Sequence, residues 1–208
     1  MTWTERAATV LDDGAVRLRP LTAADRDAIR SVAMDPAIWR YFVSRVEDET
    51  SFAAFFDAML ADHAARRRVV FHITDLASGR TAGSMSYGNL SEADRRLEIG
   101  WSWLGRDFRG GGVNRHAKYL LLHHAFDRLG AERVEFKTDR RNEQARRALR
   151  NIGATEEGTL RSFNPMPDGT RRDAVYYSVL RAEWPGVRER LTAAPARPLD
   201  LMDPADQG

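Results

Sequence analysis

Apolar and basic residues alternate with period two from Ala15 to Leu21 (AVRLRPL), the pattern of a half-buried strand. The following TAADRDAIRSVAMD has helical spacing, with Thr22 standing where an N-cap belongs. From about Glu49 to Ala65, Phe52, Phe55, Phe56, Met59 and Leu60 fall on one face of a helix. RVVFHITD and RTAGSMSYGNL read as two strands joined at a Ser78-Gly79 turn, and RRLEIGWSWL as a third after the polar SEADR. Together they predict an antiparallel meander. Beyond a run of glycines the pattern gives a helix from about Gly112 to Leu129, a strand at RVEFKTD and a helix from about Asn142 to Asn151. Two closing strands come next, near ATEEGTLRSF and DAVYYSVL.

A meander that ends in a strand, then a helix, then another strand implies a crossover between two parallel neighbours in an otherwise antiparallel sheet. The expected fold class is therefore α/β of the α+β kind: a mixed, mostly antiparallel sheet with one central parallel pair, flanked by helices. Past Trp184 the chain turns Ala- and Pro-rich. Residues 1–192 are expected to form one domain, and residues 193–208 (AAPARPLDLMDPADQG) a disordered tail.

Composition narrows the function classes. The 208 residues are 43% hydrophobic, enough for one substantial core. Lys+Arg 32 against Asp+Glu 30 leaves a net charge of +2, with nearly all the bases arginine. Basic clusters at Ala64–Arg68 and Asp139–Arg150 are mixed with carboxylates and lack interleaved aromatics, so a solvated surface is expected and no nucleic-acid partner. Without cysteine there is no disulfide framework and no thiolate metal site. The N-terminal MTWTERAATVLDDG lacks the apolar core of a signal peptide, and no apolar run has membrane-spanning length. A soluble, cytoplasmic protein without a membrane partner is the expectation.

The candidate chemistry starts at WSWLGRDFRGGGVNRHAKYLLLHHAF, Trp101 to Phe126. Gly110, Gly111 and Gly112 stand where the first parallel strand ends and the next helix begins. That is the usual ligand position in α/β sheets. The first-turn amides of a helix lack internal partners and carry partial positive charge, and glycines let a bulky anion approach them. A phosphate or pyrophosphate ligand is implied. A P-loop would need Gly-Lys-Ser/Thr, whereas Gly112 is followed by Val113, Asn114 and Arg115. A dinucleotide fingerprint would need glycine at Arg115, in an opening βαβ unit. The third pattern, Gln or Arg, two residues, Gly, one residue, then Gly or Ala, is matched by Arg109 and Gly112, with Asn114 departing at the last position.

With LEIGWSWL before that loop, RVEFKTDRRNEQARRALRNIGATEEGTLR after it and DGTRRDAVYYSVLRAEWP at the end, the sequence resembles the GNAT superfamily of acetyl-CoA-dependent N-acetyltransferases, in its RimJ/RimL-like branch. The resemblance covers about Ala15 to Trp184. It implies a GNAT fold in which the LEIGWSWL strand splays from RVEFKTD, with the pantetheine arm of acetyl-CoA in the gap. It implies cofactor contacts from Trp101, Ser102, Trp103, Leu104, Arg109, Gly110, Gly111, Gly112, Val113 and Asn114, with Arg115 and Lys118 available to other phosphates. Asn142 matches the asparagine that touches the cofactor arm in the family; as an N-cap it also suits its place in the chain. Strand alternation puts Glu98, Gly100 and Ser102 on one side and Ile99, Trp101 and Trp103 on the other, with Gly100 the candidate for a bulge that opens the pair.

Acetyl transfer needs a neutral amine, a polarised thioester and a proton for the leaving thiolate. Glu98 is the candidate base, directly or through water; the alternative is a surface carboxylate paired with Arg95 or Arg96. The oxyanion is expected on a backbone N–H near Trp101 to Trp103. The family's usual proton donors fall on Leu149 and Ala145, neither of which can give a proton, leaving Tyr176 or Tyr177 as substitutes, Tyr177 preferred. Trp39, Tyr41 and Phe42 are candidate walls of the acceptor pocket, with Glu47, Asp48 and Glu49 as attractive charges. His116, His123 and His124 lack metal-ligand spacing, so no metal is expected. The function expected is an acetyltransferase acting on a primary amine, with a ribosomal protein N-terminus or a small molecule as candidate acceptors, as a homodimer like others of this branch. A non-catalytic acyl-CoA-binding module is the rival, with an RNA-associated protein third.

Overall fold

The computed structural model describes residues 2–193, so the tail expected at 193–208 lies, past Ala193, outside the described residues. The chain opens with helix α1 (Trp3–Ala7), capped by the Thr2 side chain, and strands β1 (Leu11–Asp12) and β2 (Val16–Pro20). Helices α2 (Arg26–Ala33) and α3 (Glu49–Ala64) come next, separated by a 3-10 stretch at Pro36–Tyr41. The meander is β3 (Arg68–Asp75), β4 (Arg80–Ser91) and β5 (Arg96–Leu104). Helix α4 (Val113–His123) runs on through a π-helical stretch (His124–Leu129) to β6 (Arg133–Asp139). Then come α5 (Glu143–Ile152), β7 (Thr155–Pro165), β8 (Arg171–Leu180) and α6 (Trp184–Thr192).

All eight strands join one sheet in the order β1-β2-β3-β4-β5-β6-β8-β7. Its one parallel pairing among the described residues is β5 with β6, on either side of α4, as the element order requires. This is the mixed, helix-flanked architecture expected of the sequence. Three elements were not anticipated: α1, β1 and α6. Thr22 is the N-cap, as expected, of the 3-10 turn Ala23–Asp25 that leads into α2, and the Asp25 carboxylate accepts from Thr22 N–H at 2.8 Å and from its hydroxyl at 3.0 Å.

The sheet separates two apolar layers. Phe71, Met85, Tyr87, Leu97, Ile99, Val134, Phe136 and Tyr177 pack under α4, α5 and α6. On the other face, Val70 and Trp103 meet the aromatic stripe of α3 (Phe52, Phe55, Phe56, Met59) and Ile29 of α2. Phe56 and Ile29 are fully buried, each contributing about 1.5–3 kcal/mol relative to exposure. Both layers take side chains from β5, so any change in the course of that strand reaches both at once.

Candidate active site

β5 and β6 are hydrogen-bonded partners only at Arg96 with Arg133, Leu97 with Val134 and Glu98 with Glu135. Beyond Glu98 they part, and the fork opens toward their carboxyl ends. A bulge in β5 accompanies the parting. Gly100 faces Ser86 and Trp103 faces Ser84, so Trp101 and Ser102 together oppose Met85 alone. Trp101 carries the strain at φ 49, its ring lying 4.3 Å from the Arg68 guanidinium and 6.3 Å from Phe55. The bulge is thus at Trp101, not at Gly100. It also overturns the simple alternation expected along the strand: Ile99 belongs to the α4 layer, whereas Trp103 joins the opposite layer, the face that Glu98 and Gly100 share.

Gly100 has a different task. A Cβ there would stand 2.7 Å from Glu98 Oε1, so the missing side chain is the space the carboxylate occupies. Glu98 is buried, at 4% exposure. Asn89 Nδ2 donates to its Oε2 at 2.8 Å, and Lys137 Nζ lies 3.5 Å from the same oxygen. Neither Arg95 nor Arg96 pairs with it, since Arg95 reaches Glu132 and Arg96 reaches Asp94. A carboxylate fixed at the point where two strands separate is placed to accept a proton from a group in the fork.

The glycine loop lies beyond the open end. Gly110 and Gly112 have φ 77 and φ 93, a region closed to most side chains, and Gly112 is the residue from which α4 begins. The N–H groups of Gly110, Gly111, Gly112, Val113 and Asn114 have no acceptor among the described residues, and a Cβ on Gly111 would meet nothing within 4 Å. Five unshared donors at a helix start, with open space beside Gly111, fit a diphosphate. Arg109 does not turn into this cradle: its Nε donates to the Leu104 carbonyl at 3.0 Å, and its guanidinium stands 3.9 Å from Asp35. Leu104 and Val113 are buried, Ser102 is half-buried with its hydroxyl 3.4 Å from the Gly100 carbonyl, and Arg115 donates to the Ala193 carbonyl at 2.6 Å. Lys118 is buried with no side-chain hydrogen bond or ion pair among the described residues, and burial pushes its pKa down to about 8.

The GNAT acetyltransferase domain family matches residues 15–155, more than half of the chain. The chain belongs to the GNAT acetyltransferase family. It is 36% identical over 111 residues to "Putative ribosomal N-acetyltransferase YdaF" of Bacillus subtilis, a match spanning 53% of this chain and 60% of that relative's length. A solved structure of a "putative acetyltransferase" from T. thermophilus shares 39% identity at a TM-score of 0.79, covering 88% of this chain and 95% of that one. RimJ of Mycobacterium smegmatis, solved in complex with CoA-disulfide, shares 25% identity at a TM-score of 0.71, covering 88% and 90%.

In this member of the GNAT family, Asn142 caps α5: its Oδ1 accepts from the Ala145 N–H at 3.0 Å. Tyr177 is not where a proton donor is needed. It is fully buried in the α4 and α5 layer, opposite the face of Glu98, and its hydroxyl donates to Glu156 Oε2 at 2.6 Å while accepting from Arg146 Nε at 3.2 Å. Burial pushes its pKa up, and the Glu156 carboxylate adds to the shift. Tyr176, one residue earlier, faces the other way beside Lys137. Its pKa is raised by burial and by the Glu98 and Glu135 charges.

The acceptor side of the GNAT fork also differs from expectation. Trp39 is core: 2% exposed, donating from Nε1 to the Ala33 carbonyl at 2.8 Å and packed against Phe55 and Trp103. Tyr41 and Phe42 are half-buried, and the Tyr41 carbonyl accepts from Arg172 at 3.4 Å. Glu47, Asp48 and Glu49 are committed, to Arg45, to the cap of α3 and to Arg30. Instead, Lys137, Phe163, Tyr176 and Arg172 gather near Glu98. Of these, Lys137, Phe163 and Arg172, with Asn89, were not singled out from the sequence. Lys137 did leave a trace there, as one of two lysines among 32 basic residues. The histidines serve locally: His116 pairs with Asp13 at 2.7 Å, His123 with Asp127 at 2.6 Å, and His124 is buried. Among the described residues no cluster of three or more His, Cys, Asp or Glu could hold a metal ion, and no helix is long and apolar enough to cross a membrane.

Proposed function

We propose that the chain transfers the acetyl group of acetyl-CoA to a primary amine in the cytoplasm, by direct attack in a ternary complex. The observation that carries this is the fork: β5 and β6 separate beyond Glu98, whose buried carboxylate sits at the junction, while five unshared amides lie past the open end. The amides of Gly110 to Asn114 bind the diphosphate. The unpaired edge of β5 holds the arm, a backbone N–H near Trp101 to Trp103 receives the developing oxyanion, and Glu98 takes the amine's proton. CoA in the M. smegmatis RimJ structure supports the choice of nucleotide.

An α-amine is the favoured acceptor, because deprotonating a lysine at neutral pH costs about 3 kcal/mol more. The ribosomal description of YdaF points to a protein N-terminus of that kind. Ala145 and Leu149, which cannot protonate the thiolate, favour a second reading, a binding module without turnover. Thiol release measured against a panel of N-terminal peptides and small amines separates the two. Turnover that falls about 100-fold in Glu98→Gln, with CoA affinity unchanged, supports the enzyme. CoA binding without turnover on any amine sinks it.

A further inference from the structure

The chain contains 30 arginines but only two lysines, Lys118 and Lys137, so apart from its N-terminus it has two primary amines. Both are withdrawn from bulk water: Lys118 is 6% exposed and the Lys137 side chain 19%. Their surroundings differ. Lys118 belongs to α4, across the sheet from Glu98. Lys137 lies two residues past Glu135, the last residue of β6 paired with β5, and so projects where the strands part. Its Nζ is 3.5 Å from Glu98 Oε2 and lies over the rings of Phe163 at 5.2 Å and Tyr176 at 5.6 Å, themselves an edge-to-face pair. A carboxylate and two ring faces around one nitrogen make a seat for a primary ammonium. The chain fills that seat with its own amine.

We propose that Lys137 is a self-acylation site, taking the acyl group of a thioester bound in the fork when no external amine is present. The inference rests on the acetyltransferase reading of the fork. In the step, Glu98 removes one proton from the ammonium and passes it to solvent. The freed Nζ lone pair attacks the thioester carbonyl carbon, the C–N bond forms and the C–S bond breaks. The departing thiolate receives the second proton lost by the nitrogen. The products are an amide at Lys137, a free thiol and one proton in solution. Tethering favours the reaction, since the amine is held beside its base and needs no encounter. The product amide has no charge, so Glu98 loses the Lys137 cation and the ammonium seat stays blocked. Self-acylation therefore acts as a brake on transfer to external amines.

The test is incubation of the full chain with acetyl-CoA and no acceptor, followed by intact-mass measurement and peptide mapping, which must distinguish only two lysines and the N-terminus. One acetyl group per chain on Lys137 is expected. Glu98→Gln should slow its appearance about 100-fold, and Lys137→Arg, which keeps the charge, should leave the chain mass unchanged while melting like the parent. A Lys137→Gln variant, imitating the amide, should bind CoA but turn over external amines more slowly. If CoA binds and external amines are acetylated while Lys137 stays free, or if the label settles on Lys118 or the N-terminus instead, self-acylation is wrong and the enzyme reading survives. If CoA does not bind at all, the enzyme reading itself fails and takes this one with it.

Discussion

Replacing Gly100 by alanine probes the role of the Glu98 carboxylate without substituting Glu98 itself. The backbone of Gly100 lies in β5 without positive φ, so alanine fits the main chain and narrows the unfolded ensemble, a gain of about 0.4–1 kcal/mol. Its Cβ, however, would meet Glu98 Oε1 at 2.7 Å, where ordinary contact begins at 3.4 Å, so the carboxylate must retreat by about 0.7 Å. That movement loosens the 2.8 Å bond from Asn89 and the 3.5 Å approach of Lys137, a loss of about 1 kcal/mol. The two stability terms nearly cancel. Catalysis is less forgiving, because a misplacement of about 1 Å in a reacting group costs roughly 100-fold in rate. Gly100→Ala is therefore expected to melt within a few degrees of the parent while its kcat, measured by thiol release at saturating acetyl-CoA, falls about 100-fold. Combined with Glu98→Gln it should add little further loss, since both changes remove one function. A Gly100→Ala protein with parental kcat and parental stability would refute the assignment of Glu98 as the base.

Three further outcomes are expected from the geometry. Lys118→Met should raise stability at pH 7 by about 3 kcal/mol, because a pKa of about 8 in the fold against 10.5 for an ordinary lysine penalises the charged form; the gain should shrink as pH rises from 8 to 10.5, which denaturant melts can track. His124, whose pKa is lowered by burial and neighbouring positive charges to about 4, supplies stability that is present above about 6.5 and lost as pH falls toward 4. His124→Phe should flatten that part of the Tm-against-pH curve. Gly112→Ala, at φ 93, should cost about 1–2 kcal/mol by thermal melt and weaken CoA binding by calorimetry, since the strained residue opens α4.

Much of the fold was legible because β3, β4, β5 and β6 keep period two and the α3 stripe keeps helical spacing, signals that survive without neighbours. What escaped is instructive. The bulge at Trp101 left no mark, since a tryptophan at positive φ is held there by Arg68 and Phe55 from elsewhere in the chain, and Gly100 drew attention for the wrong reason. The choice between Tyr176 and Tyr177 depends on the register of β8 against β6, which pairs Lys137 with Tyr176 and Phe136 with Tyr177. α1 is only five residues long and is anchored by burial of Trp3, and α6 begins at a Trp-Pro-Gly that reads as a stop. The glycine cradle was readable as local chemistry. The neighbours of Glu98 were not, because Asn89 and Lys137 arrive from the strands on either side.

The extra residue in β5 makes the length of this strand as consequential as its composition. Upstream of it the strand feeds the layer under α4 with its odd positions; downstream it does so with Leu104 while Trp103 turns to α3. Removing one residue at the bend would swap the sides of every later position in the strand, sending a tryptophan beneath α4 and a leucine toward Trp39. The Leu104 carbonyl that anchors Arg109 would turn away with them, and the entrance of the cradle would lose its hold. Side-chain exchanges in Trp101–Leu104 should thus be tolerated more often than any deletion there, an asymmetry that a library of single-residue changes and single-residue losses would expose.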